Sequence, residues 1–141
     1  MSDILTLHYE IPDDDFTRAG EASGNVKKKL KKLGLNPEAI RKVAIAMYEG
    51  EINMVIHADG GVIDVEVLPE KIIMVLKDRG PGIPDIEQAM QEGFSTAGEN
   101  VRTLGFGAGM GLPNMKKYSD KMTIDTVIGE GTTVTMEVNL V

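Results

Sequence analysis

Glu49 and Asn53 stand one helical turn apart, and their types and spacing could do chemistry. On a helix, positions i and i+4 lie on one face, so the carboxylate and the amide project into the same space. The Asn53 oxygen could take one position in the octahedral shell of Mg²⁺, and the Glu49 carboxylate could orient or deprotonate an attacking hydroxyl or water. A solvated helix face is the alternative for this pair, and Glu51, which lies between them, is expected to be such a solvated residue.

Asp78 is a second candidate, because it follows an apolar stretch and precedes Gly80 and Gly82. It should lie where a strand ends and the backbone turns sharply. Its carboxylate could accept a hydrogen bond from an adenine amino group, and the two glycines would let a flat ring approach the main chain. Thr132, which follows Gly131, could add a hydroxyl on the side of the base. The alternatives are an ordinary turn containing aspartate and a threonine that only favours a strand.

A third candidate is a loop in which glycine occupies every second position, at Gly105, Gly107, Gly109 and Gly111. A helix should begin just after it, near Leu112 and Pro113. Backbone amides that no side chain covers can form a concave nest for anions, and the helix N-terminus adds partial positive charge, so a polyphosphate would fit. A flexible linker is the alternative. The sequence contains neither the P-loop pattern nor the glycine pattern of a Rossmann site, so a phosphate site here would be of another kind.

Length and composition limit the class of protein. A chain of 141 residues with 42% hydrophobic content fits one domain, residues 1–141, that can hold a core and a pocket. The absence of cysteine excludes disulfides, thiolate zinc sites and a cysteine nucleophile. A net charge of -7 argues against general binding to nucleic acid or to an anionic membrane. No long apolar run or signal-like start is present, so we expect a cytoplasmic protein.

The elements that must position these residues follow from the apolar patterns and the turn residues. Strands are predicted over residues 4–11, 62–68, 72–76, 122–128 and 132–141. Helices are predicted over residues 16–33, 37–58, 85–91 and 112–118, the second of them starting at Asn36-Pro37-Glu38. Residues 93–111 should form a mobile loop. This mixture predicts an α+β fold, a two-layer sandwich whose mixed, mostly antiparallel sheet is covered on one face by helices.

Four motifs occur in the order and spacing of the N box and the three glycine boxes of one superfamily. They are Glu49 to Asn53, Asp78-Arg-Gly-Pro-Gly82, Gly105 to Gly111 and Gly129-Glu-Gly-Thr-Thr133. The sequence thereby resembles the Bergerat-fold (GHKL) superfamily, which includes gyrase, heat-shock chaperones and histidine kinases. The small size and the stretches Asp78 to Asp85 and Glu92-Gly-Phe-Ser-Thr96 most resemble the anti-sigma-factor serine/threonine kinases, also called switch kinases.

This resemblance implies an ATP-dependent serine/threonine protein kinase that uses ATP and Mg²⁺. It implies that Glu49 is the catalytic base, that Asn53 binds magnesium, that Asp78 binds adenine and that an ATP lid spans about residues 93–111. The nucleotide-binding residues that it implies are Asn53, Asp78, Gly80, Gly82, Ile83, Ser95, Thr96, Gly105, Gly107, Gly109, Met110, Gly111, Leu112 and Thr132.

The partners that the resemblance implies are proteins of a bacterial partner-switching module. The substrate would be a STAS-domain antagonist of an anti-sigma factor, or a similar regulator. A sigma factor or a phosphatase would be a further partner, and the resemblance is compatible with a homodimer. Neither nucleic acid nor a membrane is expected as a partner. Two alternatives stay open: an anti-sigma factor or phosphatase-activating module in which ATP only sets the conformation, and a plain ATPase.

Overall fold

The structure is a computed structural model, and it describes residues 5–11, 20–57, 60–80 and 111–140. Its strands are β1 (Leu5–Ile11), β2 (Gly61–Val67), β3 (Lys71–Asp78), β4 (Lys121–Val127) and β5 (Gly131–Asn139). Its helices in these ranges are α1 (Glu21–Lys32), α2 (Pro37–His57) and α3 (Gly111–Lys117). Each of these elements overlaps one predicted from the sequence. The helix predicted over 85–91 lies outside the described residues, and so does the loop predicted over 93–111 except for its last residue, Gly111, which begins α3 instead.

The five strands form one sheet in the order β1-β2-β3-β5-β4, and each described pairing is antiparallel. Every second residue of β5 is buried from position 132 to position 138, and β3 shows the same alternation from position 72 to position 76. Successive side chains of a strand point to opposite faces, so one face of the sheet carries the core. The helices cover that face, as predicted for a two-layer α+β fold.

Helix α2 lies at the centre of the helical layer. It contacts α1 and α3 on its flanks, and β1, β3 and β5 beneath it. Methionines fill much of the space between the layers, and Met47, Met74, Met115 and Met136 are almost completely buried. Burying one such side chain contributes about 1.5–3 kcal/mol, so this core holds α2 firmly over the sheet.

The start of α2 is determined locally. Asn36 Oδ1 accepts the backbone amides of Glu38 at 2.8 Å and of Ala39 at 3.3 Å, and Pro37 takes the first helical position. This is the N-cap arrangement that the sequence predicted, because the first amides of a helix have no partner within it. Within the described ranges, no helix is both long and apolar enough to cross a membrane.

The predicted start of the first helix at residue 16 is not reproduced as a continuous helix. Gly20 has φ 99°, in the left-handed region, so α1 begins only at Glu21. A helix cannot pass through that conformation, which glycine adopts at little cost. Residues 16–19 lie outside the described residues. The lysines of α1 are exposed, as expected for a solvated face.

Glu51 is buried, so its expected place on a solvated face is wrong. Its side chain is only 2% exposed, and it caps α1 from α2. Oε2 accepts the backbone amides of Gly20 at 3.0 Å and Ala22 at 3.2 Å, while Oε1 accepts that of Ser23 at 3.0 Å. A buried carboxylate is tolerated here because the N-terminal amides of a helix supply both donors and partial positive charge.

Candidate functional site

Glu49 and Asn53 lie on the side of α2 that faces α3. Asn114 Nδ2 donates to Glu49 Oε1 at 3.3 Å, and Asn53 Nδ2 donates to Met115 Sδ at 3.7 Å. Both α2 side chains are half-buried. The structure therefore places this pair where α2 meets α3. The alternative, a fully solvated helix face, is wrong for these two residues.

Burial raises the pKa of the Glu49 carboxyl above its ordinary value, and the hydrogen bond from Asn114 partly opposes that rise. Loss of hydration disfavours the charged form, whereas a donor directed at the carboxylate favours it. A carboxylate with a raised pKa binds a proton more strongly than an exposed one. Glu49 therefore has the environment that suits a general base.

Asp78 is the last residue of β3, and two backbone amides hold its carboxylate. Oδ1 accepts from Gly80 N at 3.0 Å and from Thr132 N at 2.9 Å, so the turn after β3 and the start of β5 fix one side chain. Among the described residues, none donates to Oδ2. Asp78 therefore has one anchored oxygen and one oxygen that can accept a hydrogen bond from a ligand.

Gly131 allows β5 to approach Asp78 closely. Its φ is 139°, and a Cβ at this position would overlap the backbone carbonyl oxygen of Asp78. Any other residue would be strained and would push β5 away from β3. The amide of Thr132 could then no longer reach Oδ1. Gly131 thus helps to orient the Asp78 carboxylate.

Gly50 brings the end of β3 close to both helices of the site. A Cβ on Gly50 would overlap Cδ2 of Leu76 and would lie 3.1 Å from Cε of Met115. Leu76 precedes Asp78 by two residues, so their side chains share one face of β3. Glu49 and Asn53 therefore lie over the same end of the sheet as Asp78. A glycine between two acids in a helix is a signal of close packing that is visible in the sequence, and Gly50 has this signal.

Thr132 is only 5% exposed, and it contributes to the Asp78 end of the site through its backbone amide. Its amide donates to Asp78, whereas its hydroxyl pairs with the hydroxyl of Thr126 at 2.9 Å. Gly80 is buried and contributes its amide to the same carboxylate. Leu112, near the start of α3, packs against the core. Thr132 and Gly80 thus build the Asp78 end of the site through their main chains.

Several of the expected site residues lie outside the described residues, so the structure does not place them. They are Gly82, Ile83, Ser95, Thr96, Gly105, Gly107, Gly109 and Met110. Gly111 marks the first residue of α3. In the described ranges, no three acids or histidines gather into a metal-binding group. Asn53 carries an amide oxygen, which is a hard ligand of the kind that magnesium accepts.

Comparison with known proteins identifies related sequences. Residues 38–141 match the family described as histidine kinase-, DNA gyrase B-, and HSP90-like ATPase. The chain is 32% identical over 124 residues to serine/threonine-protein kinase RsbT of Bacillus subtilis, covering 85% of each protein. It is 36% identical over 104 residues to the anti-sigma F factor of Caldanaerobacter subterraneus, covering 70% of this chain and 69% of that one.

A solved structure shows the same fold. It contains the RsbU and RsbW domains of a Mycobacterium tuberculosis protein, and it superposes with a TM-score of 0.66 at 18% sequence identity. The match covers 96% of this chain and 32% of the other. At this identity, the likeness establishes the arrangement of strands and helices alone.

Proposed function

Because the chain belongs to the family of histidine kinase-, DNA gyrase B- and HSP90-like ATPases, and is an ATP-dependent kinase of the switch-kinase type, we propose that it phosphorylates a STAS-domain regulator. The match of residues 38–141 to this family confirms the resemblance to the superfamily that the four motifs indicated. The acceptor would be a serine or threonine of the regulator, and the module would be one in which phosphorylation changes which partner a regulator binds.

The observation that carries the proposal is the meeting of α2, α3 and the end of β3. Glu49 and Asn53 reach α3 through Asn114 and Met115, while Asp78 offers Oδ2 from the adjacent strand end. The carboxylate base and the amide ligand lie on α2, and the anchored acceptor lies at the end of β3. Helix α2 packs directly on β3, and α3 packs on α2. This arrangement supports a nucleotide site that is fixed by the core.

Each residue would then have one role in the transfer. Asp78 Oδ2 accepts a hydrogen bond from the adenine amino group and so orients the nucleotide. Asn53 Oδ1 would hold Mg²⁺, which, when bound, neutralises charge on the phosphates. Glu49 takes the proton of the acceptor hydroxyl while the oxygen–phosphorus bond forms and the bond to ADP breaks. The chemistry depends on positioning, since phosphoryl transfer needs little covalent help from the protein.

A second function is favoured by the relatives that are named anti-sigma F factors. In that case ATP would set the conformation of a module that binds a sigma factor, without phosphorylating a partner. Both functions use the same nucleotide site, because fold and family do not determine the use made of a bound nucleotide.

Transfer of label separates the two functions. The chain is incubated with Mg²⁺, γ-labelled ATP and each purified STAS-domain protein of the same organism, and label on serine or threonine of the partner is measured. A kinase labels a STAS-domain protein stoichiometrically, and Glu49→Gln abolishes the labelling. ATP binding without label on any of them, together with ATP-dependent binding of a sigma factor, would instead establish the anti-sigma function.

A further inference from the structure

Asn114 is the residue of α3 that contacts the proposed base. Its Nδ2 donates to Glu49 Oε1 at 3.3 Å, across 65 residues of sequence. Among the described residues, no other hydrogen bond reaches the Glu49 carboxylate. Within the described ranges, Oε1 is therefore the oxygen of this carboxylate that accepts a side-chain hydrogen bond. The two oxygens of the base are thus made inequivalent by a single donor.

The next residue of α3 contacts the proposed magnesium ligand. Asn53 Nδ2 donates to Met115 Sδ, which is a weak acceptor but lies on a side chain that is only 1% exposed. This bond directs the amino group of Asn53 toward α3, so the carbonyl oxygen is the part of the amide left for a cation. Consecutive residues of α3 therefore orient both members of the i, i+4 pair on α2.

We propose that Asn114 is a positioning residue for phosphoryl transfer, fixing the Glu49 carboxylate so that Oε2 faces the acceptor hydroxyl. The inference rests on the proposed role of Glu49 as base. The terminal torsion of a glutamate is soft, so without a donor at Oε1 the carboxylate can turn freely. Misplacing a reacting group by about 1 Å can cost about a hundredfold in rate.

The same hydrogen bond helps to keep Glu49 ionised. Burial raises the pKa of this carboxyl, and donation from Asn114 lowers it. If the donor is removed, the pKa rises further and the base is protonated over a wider pH range. Loss of Asn114 should therefore change both the orientation and the protonation of the base.

Two variants and one control test the proposal. Asn114→Ala removes the donor, and Asn114→Asp replaces it with a nearly isosteric acceptor that carries a like charge. Lys116→Ala, at an exposed position of the same helix, is the control. The pKa of Glu49 is measured in the folded protein by carbon-13 NMR of labelled glutamate, with Glu49→Gln used to assign the signal.

We expect both Asn114 variants to raise the pKa of Glu49, with Asp having the larger effect because two carboxyl groups then face each other. In the labelling assay, both variants should lower the transfer rate about tenfold to a hundredfold and leave the ATP affinity unchanged. The pH at which the transfer rate falls on the acid side should also be higher than in wild type. A role in packing alone would rank the variants by lost volume, with Ala worse than Asp. Lys116→Ala should behave like wild type.

Different outcomes overturn this inference and the proposed function. If wild type transfers label, Glu49→Gln does not, and both Asn114 variants keep the wild-type pKa and pH profile, Asn114 is not a positioning residue although the kinase assignment holds. If Glu49→Gln transfers label at the wild-type rate, the base assignment falls and the role of Asn114 falls with it. The NMR titration needs no acceptor protein, and Asn114→Asp carries the test if the alanine variant does not fold.

Discussion

The carboxylate of Glu49 is half-buried where α2 meets α3, and burial raises its pKa above the ordinary value of 4.5. In the unfolded chain this carboxyl ionises near its ordinary pKa. Between the two pKa values the folded protein keeps a proton that the unfolded chain has lost, so stability falls as pH rises through this interval. Above the raised pKa, the folded state bears the full cost of a buried charge.

Glu49→Gln should therefore increase stability at neutral pH, and it should strongly reduce the rate of transfer. The loss of transfer should be about a hundredfold to ten-thousandfold, because a general base contributes that much. The Gln oxygen can still accept from Asn114, and no charge is buried. Urea unfolding at neutral pH should show a higher midpoint for Glu49→Gln than for wild type. This difference in midpoint should vanish as the pH is lowered toward the ordinary pKa of glutamate. A midpoint below that of wild type at neutral pH would show that the Glu49 charge stabilises the fold.

At the scale of elements, Glu51 links α1 to α2 through three backbone amides of the α1 N-terminus. The carboxylate uses both oxygens for this. A glutamine offers one acceptor oxygen and one amino group, so at least one helix amide would face a donor instead of an acceptor. The link therefore depends on the two equivalent acceptor oxygens of a carboxylate as well as on the length of the side chain.

Glu51→Gln should destabilise the protein by about 1–3 kcal/mol, the usual cost of leaving a buried donor unsatisfied. Urea unfolding measures this change, and hydrogen exchange should show faster opening of the first turn of α1. Glu70→Gln, at an exposed position, is the matched control and should leave the midpoint unchanged. Equal midpoints for Glu51→Gln and wild type would mean that the three amides find other acceptors.

The elements that sequence patterns predicted well are those whose boundaries depend on nearby residues. The start of α2 was predicted because Asn36 caps amides only two and three positions away. The burial of Glu51 was not predicted, since the amides that it binds lie 28 to 31 residues earlier in the chain. The Asn114 contact to Glu49 spans 65 residues and was missed for the same reason. Local patterns carry no signal for such pairings, which only the packed helices create.

The two glycines inside helices should respond oppositely to alanine. Gly50→Ala would press a methyl group into Leu76 and Met115, and overpacking of this kind costs about 1–3 kcal/mol. Gly24 is exposed in the middle of α1 and has no atom within 4 Å of a Cβ, so Gly24→Ala should stabilise by about 0.5–1 kcal/mol. Urea midpoints measure both. A stabilising Gly50→Ala would mean that α2 can move away from β3 at little cost.

For the molecule as a whole, the site joins elements from distant parts of the chain, so a bound nucleotide should stabilise the fold globally. Binding to the folded state alone adds RT ln(1 + [L]/Kd), or about 2.7 kcal/mol at a hundredfold excess over Kd. For a domain of this size, that corresponds to a rise in Tm of about 8 °C. The amides of Gly80 and Thr132 hold the Asp78 carboxylate in one position. The rise in Tm can therefore be used to test the contact between Asp78 and adenine.

Asp78→Asn should keep the fold and lose the rise in Tm with Mg²⁺ and ATP. The asparagine oxygen can replace Oδ1 as acceptor for both amides, but an amino group then stands where Oδ2 met the adenine amino group. Losing that hydrogen bond should weaken ATP binding by about 1.5–3 kcal/mol. GTP, whose carbonyl oxygen would face Oδ2, should give little rise even with wild type. Asp125→Asn, at an exposed position of β4, is the control and should keep the full rise with ATP. An equal rise in Asp78→Asn and wild type would exclude Asp78 as the adenine contact, whatever the chain does with the nucleotide afterwards.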